Sequence, residues 1–301
     1  MAGHKAATVG SGRELNEVAT VAELRRRIAA WREAGETVAL VPTMGFLHRA
    51  HLSLIGIAHA RCTRVITSIF VNPAQFGAGE DFASYPRDPE GDIAQLRAAA
   101  VDIAFVPALE EVYPPGFATK VAVSGLTEGL CGPRRPGHFD GVATVVAKLL
   151  IQSLPDVAVF GEKDYQQLQM IRRMARDLDL PVSIAAAPTV RDADGLALSS
   201  RNVYLSADER ALAPALFRAL GDSQAALARG MPVEDACRDA AARLAASGFD
   251  PVDYVEVCDS ETLEPVERLD RPARILAAAW LGRTRLIDNV PAAGARAGQR
   301  T

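Results

Sequence analysis

Two histidines three residues apart, His48 and His51, sit in the stretch Val38-Ala39-Leu40-Val41-Pro42-Thr43-Met44-Gly45-Phe46-Leu47-His48-Arg49-Ala50-His51-Leu52-Ser53. Residues 38–41 form a short continuous apolar run, the pattern of a strand buried on both faces. Pro42 removes a ladder donor and Gly45 permits a tight turn. From about residue 51, Leu52, Ile55 and Ala58 fall on one helical stripe. The histidines therefore belong where the C-terminal end of a strand meets the N-terminus of a helix, and the free N–H groups there favour anions. Imidazolium donors in that place suit charge developing on a phosphate. Zinc is a poorer reading, because a helical zinc pair is spaced i, i+4 and brings a glutamate. The plain alternative for either ring alone is a structural histidine satisfied by its neighbours.

Three further clusters bear chemistry. Gly161-Glu162-Lys163-Asp164 follows a second apolar run and opens a helix. Lys163 can act as a point charge on a phosphate, and Asp164 can cap the helix or bind a ribose hydroxyl. A β-α turn with a solvated Lys–Asp pair is the bland alternative. Leu198-Ser199-Ser200-Arg201 offers two hydroxyls and a guanidinium to phosphate oxygens, or simply caps a helix. Gln75 and Gln167 are uncharged amides suited to a small polar substrate. Arg134-Arg135-Pro136-Gly137-His138 reads as a mobile basic loop or as solvated charge. Asp88, Glu90 and Asp92 are candidate metal carboxylates, although a helix N-terminus attracts acids without any metal.

The elements that position these groups alternate along a chain of 301 residues. Residues 1 to about 17 read as polar and loose at the start. Thr20-Val21-Ala22-Glu23 is a capping box for a helix to about residue 33. Strands are predicted at 38–41, 64–71, 101–106, 157–160 and 182–187, and helices from about 51, from 88 to 99, over 141–152 and over 166–178. Alternation of this kind implies a parallel sheet with right-handed crossovers. The pattern changes after about Pro188. A long alanine-rich helix is predicted from 207 to about 229, a second over 233–246, and antiparallel strands at 253–257, 274–280 and 284–288. The expected architecture is α/β. A Rossmann-like doubly wound sheet occupies residues 1–189, and a smaller C-terminal α+β lid domain occupies 190–301, with about 291–301 disordered.

Apolar residues make up 49% of the chain and the net charge is −4. That is ample for a core, and it provides no basic field for nucleic acid. Lys5, Lys120, Lys148 and Lys163 are the only lysines, so a lysine inside a motif stands out. Cys62, Cys131, Cys237 and Cys258 lack both zinc spacing and a disulfide framework. No apolar run spans a bilayer and no signal-peptide core is visible at the start, so a reduced, cytoplasmic protein without a membrane partner is expected.

Taken in order over about residues 36–290, these pieces resemble the pantothenate synthetase (pantoate–β-alanine ligase) family of nucleotidyltransferase-like Rossmann proteins. The matching pieces are Val41-Pro42-Thr43-Met44-Gly45, His48 and His51, Ser68 through Pro73 with Gln75-Phe76-Gly77, and Tyr85-Pro86-Arg87. Later pieces are His138-Phe139-Asp140-Gly141-Val142, Phe160 through Gln167 and Leu198 through Tyr204. The resemblance implies that pantoate's carboxylate attacks the α-phosphate of Mg-ATP, giving pantoyl adenylate and pyrophosphate. The amine of β-alanine then attacks the acyl carbon and releases AMP. It assigns ATP to Met44, Gly45, Phe46, Leu47, His48, Arg49, Ala50 and His51, with His51 as proton donor. Gly161, Glu162, Lys163, Asp164, Val190, Leu198, Ser199, Ser200 and Arg201 join that ATP set. Pantoate falls to Gln75 and Gln167, Gln75 also lying near β-alanine, with Asn72 and Arg135 as secondary contacts. His48, Lys163 and Arg201 share the catalytic charge work. The resemblance also implies ATP and Mg2+ as cosubstrate and ion, and a homodimer.

The family's usual run is Met-Gly-Ala-Leu-His-Glu-Gly-His, so Phe46, Arg49 and Ala50 depart from it. Ala50 replaces a glycine where backbone approaches nucleotide, Phe46 adds bulk and Arg49 reverses a charge. Altered ATP affinity or turnover is expected from these three. Two rivals are a nucleotidylyltransferase of the same superfamily, which needs a basic acceptor pocket, and a non-catalytic ATP-binding regulator. A Rossmann dehydrogenase is disfavoured because no Gly-x-Gly-x-x-Gly follows a strand.

Overall fold

In the computed structural model, which describes residues 14–292, the apolar runs of the first half pair into one six-stranded parallel sheet. Its strands are β1 (Asn16–Val18), β2 (Val38–Thr43), β3 (Arg64–Ile69), β4 (Ile103–Phe105), β5 (Val157–Gly161) and β6 (Ser183–Ala187), in the order β1-β4-β3-β2-β5-β6. Side chains alternate between two cores, as period-2 strands require. Leu40, Ile66 and Phe105 face one core, where α1 (Val21–Glu33), α5 (His138–Ser153) and α6 (Tyr165–Asp177) cover the sheet. Ala39, Val41 and Val65 face the other, under α2 (Arg49–Arg61) and α3 (Pro89–Ala98). A single turn, α4 (Leu109–Val112), completes this half. The sheet is therefore doubly wound, as expected.

Strand order reverses between β2 and β5, which lie side by side with Ala39 opposite Val157 and Leu40 opposite Ala158. A crevice opens at such a switch point, outside the carboxyl ends of the strands. The turn after β2 carries the two histidines and the turn after β5 carries Lys163.

A separate three-stranded antiparallel sheet holds β7 (Val252–Asp259), β8 (Ala273–Leu281) and β9 (Thr284–Pro291). Ile275, Ala277 and Ala279 of β8 pack with Leu216, Leu220 and Leu244 from α8 (Ala215–Ala228) and α9 (Val233–Ala246). Leu276, pointing the other way, joins the core over the parallel sheet together with Cys258. The small sheet is thus fastened on top of the large one by a strand with two apolar faces.

Three expectations change. Residues 16–18, where no element was expected, form edge strand β1, parallel to β4, and Val18 is buried, while the start of the chain expected to be loose lies outside the described residues. The helix expected over 207–229 is two, α7 (Ala207–Leu212) and α8, because Pro214 cannot donate to a continuing ladder. Pro291 ends β9 and Ala292 is buried, its N–H reaching Ala273 O at 2.9 Å, so neither belongs to a loose tail. Residues 293–301, the rest of that expected disordered stretch, lie outside the described residues.

Candidate active site

Gly45 (φ +80°) and Phe46 (φ +51°) turn the chain sharply after β2. The left-handed region costs a residue with a Cβ about 1 kcal/mol, so something must hold Phe46 there. Asp92 of α3, only 2% exposed, accepts from Phe46 N at 2.8 Å and from Leu47 N at 2.6 Å. Asp88 caps the same helix through Gly91 N. These acids therefore serve backbone N–H groups, and no group of three metal-ligating side chains occurs among the described residues.

The turn delivers His48 to the N-cap of α2 and His51 to its first turn, with ring centroids 4.0 Å apart. His51 Nδ1 accepts from His48 N at 3.2 Å, which leaves the proton of the neutral ring on Nε2. Burial, then the charge of Lys163, pushes the His48 pKa down to about 4. Burial, then His48, takes His51 down to about 3. Both rings are neutral at pH 7, not the imidazolium donors the sequence suggested. Among the unusual motif residues, Ala50 lies within helical α2, where the backbone does not require glycine. Arg49 Nη2 reaches across to Asp192 Oδ1 at 2.8 Å.

The turn after β5 is held from above. Asn289 of β9, 3% exposed, donates from Nδ2 to Glu162 O and Lys163 O, both at 2.9 Å. Arg274 Nη2 reaches Glu162 Oε2 at 3.2 Å. The small sheet thus sets the backbone from which Lys163 projects. Lys163 Nζ lies 3.6 Å from Asp164 Oδ1, and the Asp164 side chain makes no cap bond. A cleft beside this turn is lined by Lys163, Asp164, Gln167, Arg135, His138 and Tyr254, among others.

Residues 198–201 return to the histidine turn. Leu198 N pairs with Val190 O at 2.9 Å, and Ser199 Oγ accepts from Arg201 N at 3.3 Å. Ser200 Oγ lies 3.5 Å from Phe46 O. Arg201 stacks within 5.6 Å of the Tyr85 ring and grips Asp81.

On the other side, a short 3-10 turn (Pro73–Gln75) presents Gln75. Asn72, 1% exposed, donates to Gln75 Oε1 at 3.0 Å and Gly141 O at 3.1 Å, and accepts from Tyr113 OH at 2.8 Å. Gln75 Nε2 contacts Met44 Sδ at 3.2 Å, tying this turn to the histidine motif. Neither arginine of the 134–138 stretch is free charge: Arg134 bonds Asp253 O at 2.7 Å, and Arg135 holds Glu80. Sequence reasoning missed Asp81, Glu80, Tyr113 and Asn289, and it gave His138 and Asp92 no such placing role. His138 had a signal, since the stretch containing it matched the family pattern.

His138 Nδ1 lies 2.8 Å from Gln75 O and Nε2 2.9 Å from Arg135 Nη1. Burial, then the Arg135 charge, pushes its pKa down to about 4. A histidine whose folded pKa is lowered contributes nothing to pH dependence above its unfolded value near 6.5. Below that value the unfolded chain binds the extra proton, so stability falls as pH drops from about 6.5 to about 4. His138 alone is expected to remove about 2 kcal/mol by pH 5, at 1.36 kcal/mol per pKa unit. His48 and His51 act in the same direction. Urea midpoints at pH 7 and pH 5 check this, and the drop should shrink in His138→Gln.

Comparisons with known proteins agree on one family. The sequence profile of the pantoate–β-alanine ligase family matches residues 16–291. A pantothenate synthetase of Paramagnetospirillum magneticum is 58% identical over 273 residues, covering 91% of this chain and 96% of that one. One from Caulobacter vibrioides is 57% identical over 276 residues, covering 91% and 97%. Among solved structures, a pantothenate synthetase from Thermus thermophilus superposes with a TM-score of 0.88 at 49% identity, covering 93% of this chain and all (100%) of that one. A Francisella tularensis pantoate–β-alanine ligase, crystallised with β-γ ATP and β-alanine, superposes with a TM-score of 0.79 at 30% identity, covering 93% and 98%.

Proposed function

The chain belongs to the pantoate–β-alanine ligase family, and from that membership we infer that it joins pantoate to β-alanine using ATP. The reaction has two steps. A carboxylate oxygen of pantoate attacks the α-phosphorus, the bond to the bridging oxygen breaks, and pyrophosphate leaves. The amine of β-alanine then attacks the acyl carbon of pantoyl adenylate, loses a proton and expels AMP. One observation supports this reading above the others: the histidine turn after β2 and the lysine turn after β5 are neighbours at the switch point of a parallel sheet.

In our reading the triphosphate lies across that crevice. Residues 44–51 line one side, Gly161 to Asp164 line the other, and Val190 with Leu198 to Arg201 close over them. His48 and His51 donate as neutral imidazoles to oxygens that gain charge as pyrophosphate departs. Lys163 and Arg201 neutralise the phosphates, work that is mostly positioning and electrostatics. Gln75 and Gln167 hold pantoate through neutral amides, with Asn72 orienting Gln75, and Arg135 lies beside them. The Mg2+ of Mg-ATP finds no protein cage of three acidic or histidine groups among the described residues. We propose that it enters on the phosphates, as this ion commonly does, and no step here is routed through it. The free cysteines fit a reducing compartment, and a cytoplasmic homodimer is part of the same proposal. No described helix is long and apolar enough to cross a membrane.

The test is AMP formation with Mg-ATP and the two acceptors added singly and together. AMP that requires both is the expected result. Pyrophosphate release without dependence on pantoate would overturn the reading.

A further inference from the structure

Two consecutive acids on one loop hold two arginines that come from distant parts of the chain. Arg201 donates to Asp81 in a two-pronged pair, Nε to Oδ2 at 2.9 Å and Nη2 to Oδ1 at 2.8 Å. Arg135 donates to Glu80 in the same manner, Nε to Oε1 at 2.8 Å and Nη2 to Oε2 at 2.6 Å. The loop is built to hold this position. Phe76 packs edge-on against Phe82 and Tyr85, and Tyr204, three residues after Arg201, donates from its OH to Ser84 O at 3.0 Å. The guanidinium edge that grips a carboxylate through Nε and Nη2 is also the edge that grips two phosphate oxygens. A phosphate on that edge of Arg201 and the Asp81 carboxylate exclude each other.

We propose that Asp81 is a specificity-determining residue, an internal carboxylate that competes with anionic ligands for Arg201. The inference rests on reading Arg201 as a phosphate ligand. A dianion such as inorganic phosphate gains too little at Arg201 to displace an acid already docked in fork geometry. A polyphosphate makes further contacts and displaces it. When pyrophosphate dissociates, Asp81 returns to the arginine and keeps the rebound anion from lingering. Selection against small anions and fast product release follow from one competing pair, by the logic that specificity is a difference between affinities. Gly77 and Gly79 flank the turn before Glu80, and Gly79 stands at φ +85°. The backbone between Phe76 and Asp81 can therefore rearrange without dragging a bulky side chain.

The direction of the effect separates this role from a merely structural ion pair. Removing a structural pair weakens ligand binding, whereas removing a competitor strengthens it. The probe is magnesium pyrophosphate, titrated calorimetrically into wild type, Asp81→Asn, Asp81→Ser and Arg201→Met, each checked by thermal melting. Asp81→Asn and Asp81→Ser are expected to bind pyrophosphate about tenfold tighter, a change of about 1.4 kcal/mol. Their KM for ATP should fall, and kcat should fall with it as product release slows. Unchanged or weaker binding in both variants, with Arg201→Met still losing affinity, overturns the inference. Loss of the thermal transition in both also overturns it, because the pair is then structural. Pyrophosphate binding that ignores Arg201→Met overturns the reading of Arg201 instead.

Discussion

Replacing His51 with alanine is expected to lower kcat/KM for ATP about a thousandfold, the upper range for losing one positioned donor to a developing oxyanion. The ring does two jobs that can be separated. Its Nδ1 accepts from His48 N at 3.2 Å and so caps helix α2, while its Nε2 carries the proton available to a ligand. Losing the cap alone is worth about 1 kcal/mol of stability. His51→Asn puts an acceptor near the Nδ1 position and no donor at the Nε2 position; His51→Gln carries an amide that reaches the Nε2 position and an oxygen that, at this third helical position, also caps His48 N. Thermal stability should therefore follow Asn and Gln above Ala, and turnover should follow Gln above Ala and Asn. If both quantities rank the variants alike, the ring is only a cap. The pH profile adds a second check, because kcat/KM reports groups of the free enzyme. With the free-protein pKa values of His48 and His51 at about 4 and about 3, the profile should show no acid limb near pH 6.5 from either ring.

What could be read from the sequence, and what could not, divides along local against tertiary causes. Strands β2 and β3 were visible because strands buried on both faces of a parallel sheet are continuous apolar runs. The two β-α turns were visible for the same reason, since each follows such a run. Strand β1 was not, because Asn16-Glu17-Val18 has no pattern of its own and exists by pairing with Ile103, Ala104 and Phe105. The break at Pro214 hid inside an alanine-rich stretch that reads as helix on either side. At the site, the cations could be found and their partners could not. Lys163 is one of few lysines and Arg201 follows two serines, but Asp81 meets Arg201 across 120 residues of chain. Asp92 read as a possible metal ligand, because nothing in its spacing tells that it bonds Phe46 N and Leu47 N, 46 and 45 residues away. The same gap explains the imidazolium error: burial beside Lys163, which neutralises the rings, is a tertiary fact.

Gly141→Ala is expected to destabilise the protein by about 3 kcal/mol and to raise KM for pantoate more than KM for ATP. Two effects oppose each other. Alanine is the better helix former by about 1 kcal/mol, which favours the substitution within α5. Sterics run the other way, because a methyl built on Gly141 would stand 2.1 Å from Ala74 O and 2.7 Å from Gln75 Cα. Both are backbone atoms, so no side chain can swing aside. The 73–75 turn is tied in place as well: Ala74 N donates to Asn72 Oδ1 at 3.3 Å, and Gln75 O lies 2.8 Å from His138 Nδ1. The helix cannot retreat, since Val142, Val145 and Leu149 are buried in the core beneath it. Overpacking of this severity sits at the top of the usual 1–3 kcal/mol range, roughly, and outweighs propensity. At roughly 2–4 °C per kcal/mol for a large domain, the melting midpoint should drop by about 6–12 °C. Relief comes most cheaply by pushing the 73–75 turn outward, which displaces Gln75 and breaks the bond from Asn72 to Gly141 O. Lys163 and Arg201 have no hydrogen bond to that turn, so ATP should be affected less, with the Gln75–Met44 contact as the path for what remains. Thermal melts and steady-state kinetics with each substrate varied check both parts. Equal rises in the two KM values would mean that the turn does not serve pantoate in particular.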